Sequence, residues 1–204
     1  MKVSKKNASL MLLLGIINIV LFIILNVRRY NHMHEGIFTY YIILFLSEIT
    51  YLLPFFYLVS LLKYVQEKQF IITCFYALLA GKITSFLFNF IPNSNSSVST
   101  ILLVIGVVIA LIEISVIIVS FLIKNFVLTT PFKTYAIIYI LVILIEWGVP
   151  LLLPLVTGFD FYINASRYLS YVSALPMLAT LYIIYQSKKL DNQISPVFTA
   201  QKWN

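Results

Sequence analysis

Charge is what this sequence has least of. Of its 204 residues only 10% are Asp, Glu, Lys or Arg, whereas a soluble domain carries about a quarter. A water-facing surface cannot be assembled from so few, which excludes an ordinary soluble domain. Cysteine is nearly absent too. Cys74 stands alone, ruling out an internal disulfide and any multi-cysteine metal site. It sits in an apolar run, where a buried, inert thiol is expected. The two histidines, His32 and His34, lie outside the apolar runs, which excludes an intramembrane serine–histidine dyad and a His-Glu-x-x-His metal pair. The six glycines form no phosphate-binding loop, no Gly-x-Ser-x-Gly elbow is present, and no aspartate falls within an apolar segment. The motifs of cofactor binding and of ATP use are therefore missing. No cofactor is expected, and an enzyme is not the favoured reading.

What fills the space is hydrocarbon. Hydrophobic residues make up 61% of the chain and fall in six segments, 9–27, 37–62, 70–91, 100–123, 134–156 and 167–185. Each is long enough to cross about 30 Å of hydrocarbon. The pattern predicts an all-α polytopic membrane protein, a bundle of six transmembrane helices forming one integral membrane domain over 1–204. A short polar tail, 188–204, is expected to be mobile or docked to a partner. The run Pro92-Asn93-Ser94-Asn95-Ser96-Ser97 reads as a turn, and Pro131 and Gly158 mark the next two connections. Lys2, Lys5 and Lys6 before the first segment resemble the start of a signal peptide. The apolar run 10–27 is too long for one, however, and Arg28 and Arg29 follow it in place of a small-residue cleavage site. It reads as a retained span. Pro54, Pro150, Pro154 and Pro176 lie inside segments, and the fifth, with two of them after Gly148, is expected to be irregular.

Orientation follows from the bases. With the N-terminus in the cytoplasm, the inside holds Lys2, Lys5, Lys6, Lys63, Lys68, Lys124, Lys133, Lys188, Lys189 and Lys202. The outside holds Arg28, Arg29 and Arg167, and Lys82 is within the membrane. Ten against three favours both termini inside and an even number of spans. The net charge of +7 does not imply nucleic acid, because the bases adjoin apolar spans and face lipid headgroups. Membrane lipids are the expected partners, and the plasma membrane the expected location.

The acids carry the functional signal. Of seven, Glu48, Glu113 and Glu146 fall near the middle of segments, as does Lys82 in the third. A charge at the centre of a span costs about 2.5–3.5 kcal/mol on insertion scales, and such groups face protein or water. Helical spacing extends each position into a stripe: Lys82, Ser85 and Asn89; Gly106, Ala110, Glu113 and Ser120; Tyr41, Glu48 and Tyr51; Tyr139, Glu146 and Pro150. These stripes predict a buried polar layer between the helices.

One lysine cannot neutralise three carboxylates. In a purely structural layer Lys82 pairs with one Glu and the others stay neutral and hydrogen-bonded. In a functional one the two surplus carboxyls receive a proton, a cation or a small molecule. The second reading predicts a small transport or ligand-binding protein whose site is Glu48, Lys82, Glu113 and Glu146, with Tyr51, Ser85 and Asn89. A different class, a non-catalytic subunit of a larger membrane complex (a sensor, assembly or immunity component), would carry the same layer as glue against a partner subunit. A lipid-modifying enzyme using a glutamate acid/base is the third reading.

Other features point less far. Arg28, Arg29, His32, His34 and Glu35 share the first external loop, where two histidines lack the further ligands a metal site needs, so no metal is expected. Arg167, near Asp160, is placed to snorkel at the interface. Tyr40, Tyr64, Tyr162 and Tyr168 fit an aromatic belt. Asn95-Ser96-Ser97 and Asn164-Ala165-Ser166 match a glycosylation pattern that arises readily in such loops.

Overall fold

The computed structural model describes residues 3–30, 37–88, 96–150 and 168–200. His32, His34, Glu35, Asn89, Asn95, Pro154, Asp160, Tyr162, Asn164 and Arg167 lie outside the described residues. Among those described, the helices are α1 (Lys5–Tyr30), α2 (Ile37–Tyr64), α3 (Gln69–Phe88), α4 (Ser96–Phe121), α5 (Phe126–Ile143) and α6 (Leu175–Ala200). A π-helical turn, Leu144–Gly148, continues α5, and a 3-10 turn, Ser170–Ala174, leads into α6. Five helices are long and apolar enough to cross a membrane, so the architecture is that of an integral membrane protein.

Consecutive helices pack side by side, and α6 closes the ring by packing on both α5 and α1, with α2 also touching α6 across the middle. The core lies where these elements meet. Phe55, Tyr57, Leu58, Phe75, Leu78, Phe132, Tyr135 and Ile183 are fully or almost fully buried. Outward faces remain apolar, as at Leu103, Val104 and Leu111 on α4. Lipid is as apolar as leucine, so burial of hydrocarbon does little to hold such helices together. Close packing and interhelical polar contacts must do so.

One end of the bundle is tied by its turns. The backbone at Gln66 is left-handed, φ 55°, and the Glu67 amide donates to the Leu62 carbonyl at 3.1 Å. This is the reversal with which helices end, here built on Gln66 where glycine is usual. It delivers Glu67 to the α4–α5 turn, where Oε1 accepts the backbone amides of Lys124 at 3.1 Å and Asn125 at 2.9 Å. Asn125 in turn caps α5, its Oδ1 accepting the Val127 amide at 3.1 Å. Lys63, Lys68 and Lys124 sit at this near end beside the start of α1 at Lys5.

Two boundaries depart widely from the sequence expectation. The fifth helix starts at Phe126, not near 134, because the Asn125 cap and the Glu67 clamp satisfy its first amides and Pro131 is carried inside the helix. The last helix continues to Ala200 through the segment expected to be a mobile or docked tail. The irregularity expected of the fifth segment takes the form of the π turn. Pro150 offers no N–H to the carbonyl of Glu146, and a widened turn there relieves the conflict. Tyr40, Tyr64 and Tyr168 are exposed near helix ends, as an aromatic belt requires.

Candidate functional site

Helix length brings the polar residues to one level. Counting from the near end, Asn18 is thirteen residues beyond Lys5, Tyr51 thirteen before Tyr64, Lys82 thirteen beyond Gln69, and Tyr139 thirteen beyond Phe126. At the rise of an α-helix this is about 20 Å of depth, a little past the middle of a bilayer. Glu146 lies seven residues further along α5 than Tyr139, so it stands about 10 Å closer to the far end. The sequence placed it mid-span because it began that helix too late.

Between α3 and α4 the layer is an ion pair. Gly81 has no side chain to hold α4 off. A Cβ there would stand 3.3 Å from Ile109 Cγ1, and this close approach lets Lys82 Nζ reach Glu113 Oε1 at 2.5 Å. Both side chains are mostly buried, 23% and 19% exposed. Tyr139 and Glu113 line one cavity. Tyr135, packed on Tyr139 with ring centroids 5.6 Å apart, is fully buried, and its hydroxyl has no hydrogen-bond partner among the described residues.

Two cavities flank the pair and share Tyr51, Lys82 and Ser173. The larger, about 290 Å³, lies toward α1 and α2. Its polar wall is Asn18, Ser47, Glu48 and Ser85, and its apolar wall includes Ile19, Phe22, Phe86 and Met177. The smaller, about 220 Å³, lies toward α5 and holds Glu113, Tyr139 and Glu146. There the two irregular turns meet: Ser173 Oγ of the 3-10 turn donates to Glu146 Oε1 of the π turn at 2.5 Å.

The three carboxyls thus differ in what they touch. Glu113 holds Lys82 and Glu146 holds Ser173. Glu48, half-buried on the larger cavity, has no hydrogen bond or ion pair among the described residues. No three His, Cys, Asp or Glu side chains among the described residues converge closely enough to hold a metal ion.

The structure therefore brings Glu48, Tyr51, Lys82, Ser85, Glu113 and Glu146 around two adjoining cavities. The ends of some stripes do not join them. Gly106 faces open space, with nothing within 4 Å of a Cβ built on it. Tyr41 is exposed. Ser120 is buried but returns its hydroxyl to the Val116 carbonyl of its own helix at 2.7 Å.

Sequence reasoning passed over Asn18, Ser47 and Ser173. Asn18 is buried on α1 and donates Nδ2 to the Ser47 carbonyl of α2 at 2.6 Å, with the hydroxyls of Ser47 and Thr50 each 3.4 Å away. An asparagine in the middle of an otherwise apolar first segment was a visible signal. Ser173 offered none, since serine is common in spans. No protein-family model, no curated protein and no solved structure matches the chain.

Proposed function

We propose that the chain is a small multi-pass transport or ligand-binding protein, whose layer of Glu48, Lys82, Glu113 and Glu146 receives a proton, a cation or a small molecule. The observation that carries this reading is Glu48. It is a carboxyl on a cavity of about 290 Å³, deep in the bundle, without a hydrogen bond or ion pair among the described residues while its neighbours are engaged. A group that serves only to hold helices together would be bonded across them. An intramembrane acid lining a cavity is where substrate and ion paths are found. The broken helices at Glu146 and Ser173 support the same reading, because interrupted helices are tolerated in a membrane where they line a cavity.

In this proposal α6 is the sixth crossing and both ends of the chain are cytoplasmic. Lys5, Lys6, Lys63, Lys68, Lys124, Lys133, Lys188 and Lys189 then share the inner side, at the plasma membrane. The cavities lie toward the outer half.

The test is the purified protein in lipid vesicles, wild type against Glu48→Gln. Melting temperature is followed across pH and with added monovalent cations and small amines, and flux is followed with an entrapped pH dye. A response present in the wild type and lost in Glu48→Gln supports the proposal. A protein that responds to nothing and purifies with a stoichiometric membrane partner returns the layer to the role of glue in a larger complex.

A further inference from the structure

Resting on that reading, we infer that the larger cavity takes a small organic monocation, a primary ammonium group on an apolar or aromatic body, with the ammonium on Glu48. Three features of the cavity select this class.

The first is charge. Among the described residues the cavity is lined by one acid, Glu48, and one base, Lys82. Lys82 is held by Glu113 at 2.5 Å, so that pair is close to neutral and Glu48 sets the sign of what enters. An anion would meet the Glu48 carboxylate and would have to displace Glu113 from Lys82. A zwitterion faces the same competition at its carboxylate end. A monocation meets neither difficulty.

The second is size. A volume of about 290 Å³ is roughly ten times the share of one water in the liquid, and close to the lower limit of ordinary small-molecule pockets. A proton or a bare metal ion leaves it nearly empty. A metal ion also asks for a shell of converging oxygens, and no three acidic or metal-ligating side chains converge among the described residues.

The third is the division of the walls. An ammonium has three protons to place. Glu48, Tyr51 and Ser85 line the same cavity, giving it a carboxylate and two hydroxyl acceptors from α2 and α3. Phe22, Phe86 and Met177 in the same lining offer no charge and suit an apolar body, with aromatic faces that also attract a cation.

The probe is 2-phenylethylamine, titrated into the full-length protein in lipid nanodiscs by calorimetry. Sodium, L-phenylalanine and 3-phenylpropionate are compared at equal concentration. We expect the amine to bind and the acid to fail, and Glu48→Gln to weaken the amine by about tenfold or more. The unliganded melting temperature of that variant reports that it folds. Phe22→Leu, which leaves every charge in place, is expected to weaken 2-phenylethylamine more than methylammonium. Equal binding of L-phenylalanine, or unchanged amine affinity in a folded Glu48→Gln, overturns the inference. Glu48-dependent binding of protons or sodium with no response to amine overturns it as well while sparing the broader proposal. Absence of every ligand response removes both.

Discussion

Lys82 on α3 and Glu113 on α4 meet at 2.5 Å, next to the close approach of Gly81 to Ile109 between the same two helices. Removing one partner strands the other charge away from water. Lys82→Met or Glu113→Gln alone is expected to destabilise the protein by about 3–5 kcal/mol. The double variant, which removes both charges, should recover most of the loss. Reversible unfolding in mixed micelles gives the coupling by a double-mutant cycle. Additive losses would mean that the two groups act independently.

Glu67 carries no layer residue, yet it joins two turns. Its carboxylate accepts the amides of Lys124 and Asn125. Glu67→Ala leaves both donors without that acceptor, and a loss of about 1–2 kcal/mol follows, in the range of a lost helix cap. Glu67→Gln keeps an acceptor oxygen and should lose less. Limited proteolysis of the α4–α5 turn in detergent reports the same change, faster for the alanine variant. The neighbouring Gln66, at φ 55°, works in the opposite sense. Gln66→Gly removes a steric conflict in the left-handed region and is expected to be neutral or stabilising by about 1 kcal/mol.

How much of this was legible follows from the same residues. A charge in an apolar run is conspicuous because it is costly there, so Glu48, Lys82, Glu113 and Glu146 stand out before any fold is known, although Glu146 lies at a different depth from the one its segment suggested. Helical spacing then found Tyr51 and Ser85. Neutral hydroxyls are another matter. Ser60, Thr73, Thr84, Ser115 and Thr180 each donate to the carbonyl four residues earlier in their own helix, so a hydroxyl on a helix face does not imply a partner across it. Ser120 is buried, as its stripe predicts, yet bonds within its own helix, and Ser173 was missed because its partner is settled only by where two broken helices meet. The start of α5 was lost to Pro131, a strong local stop signal overridden by a tertiary clamp some sixty residues back in sequence, at Glu67.

Asn18 makes a polar contact between α1 and α2. Its amide donates to the Ser47 carbonyl at 2.6 Å, and it also lines the larger cavity. Asn18→Leu is expected to lower stability by about 0.6–2 kcal/mol, the range of interhelical hydrogen bonds in membranes. It should also replace a polar wall by an apolar one. A variant that melts as the wild type does would show the bond to be dispensable.

Gly15 sits one turn from Asn18 on α1, where that helix crosses α6. A Cβ built there collides with the Leu181 side chain, which is itself almost buried at 9% exposure. The absence of a side chain at position 15 is therefore what sets the distance between α1 and α6, and with it the wall of the larger cavity that Ile19 and Met177 share. Gly15→Ala is expected to destabilise the fold by about 1–3 kcal/mol, as overpacking does. Leu181→Ala in the same chain gives the new methyl its space, so the double variant should be more stable than the sum of the two losses. If Gly15→Ala alone leaves the melting temperature unchanged, α1 and α6 are not in the close contact described here, and the cavity between them loses one of its walls.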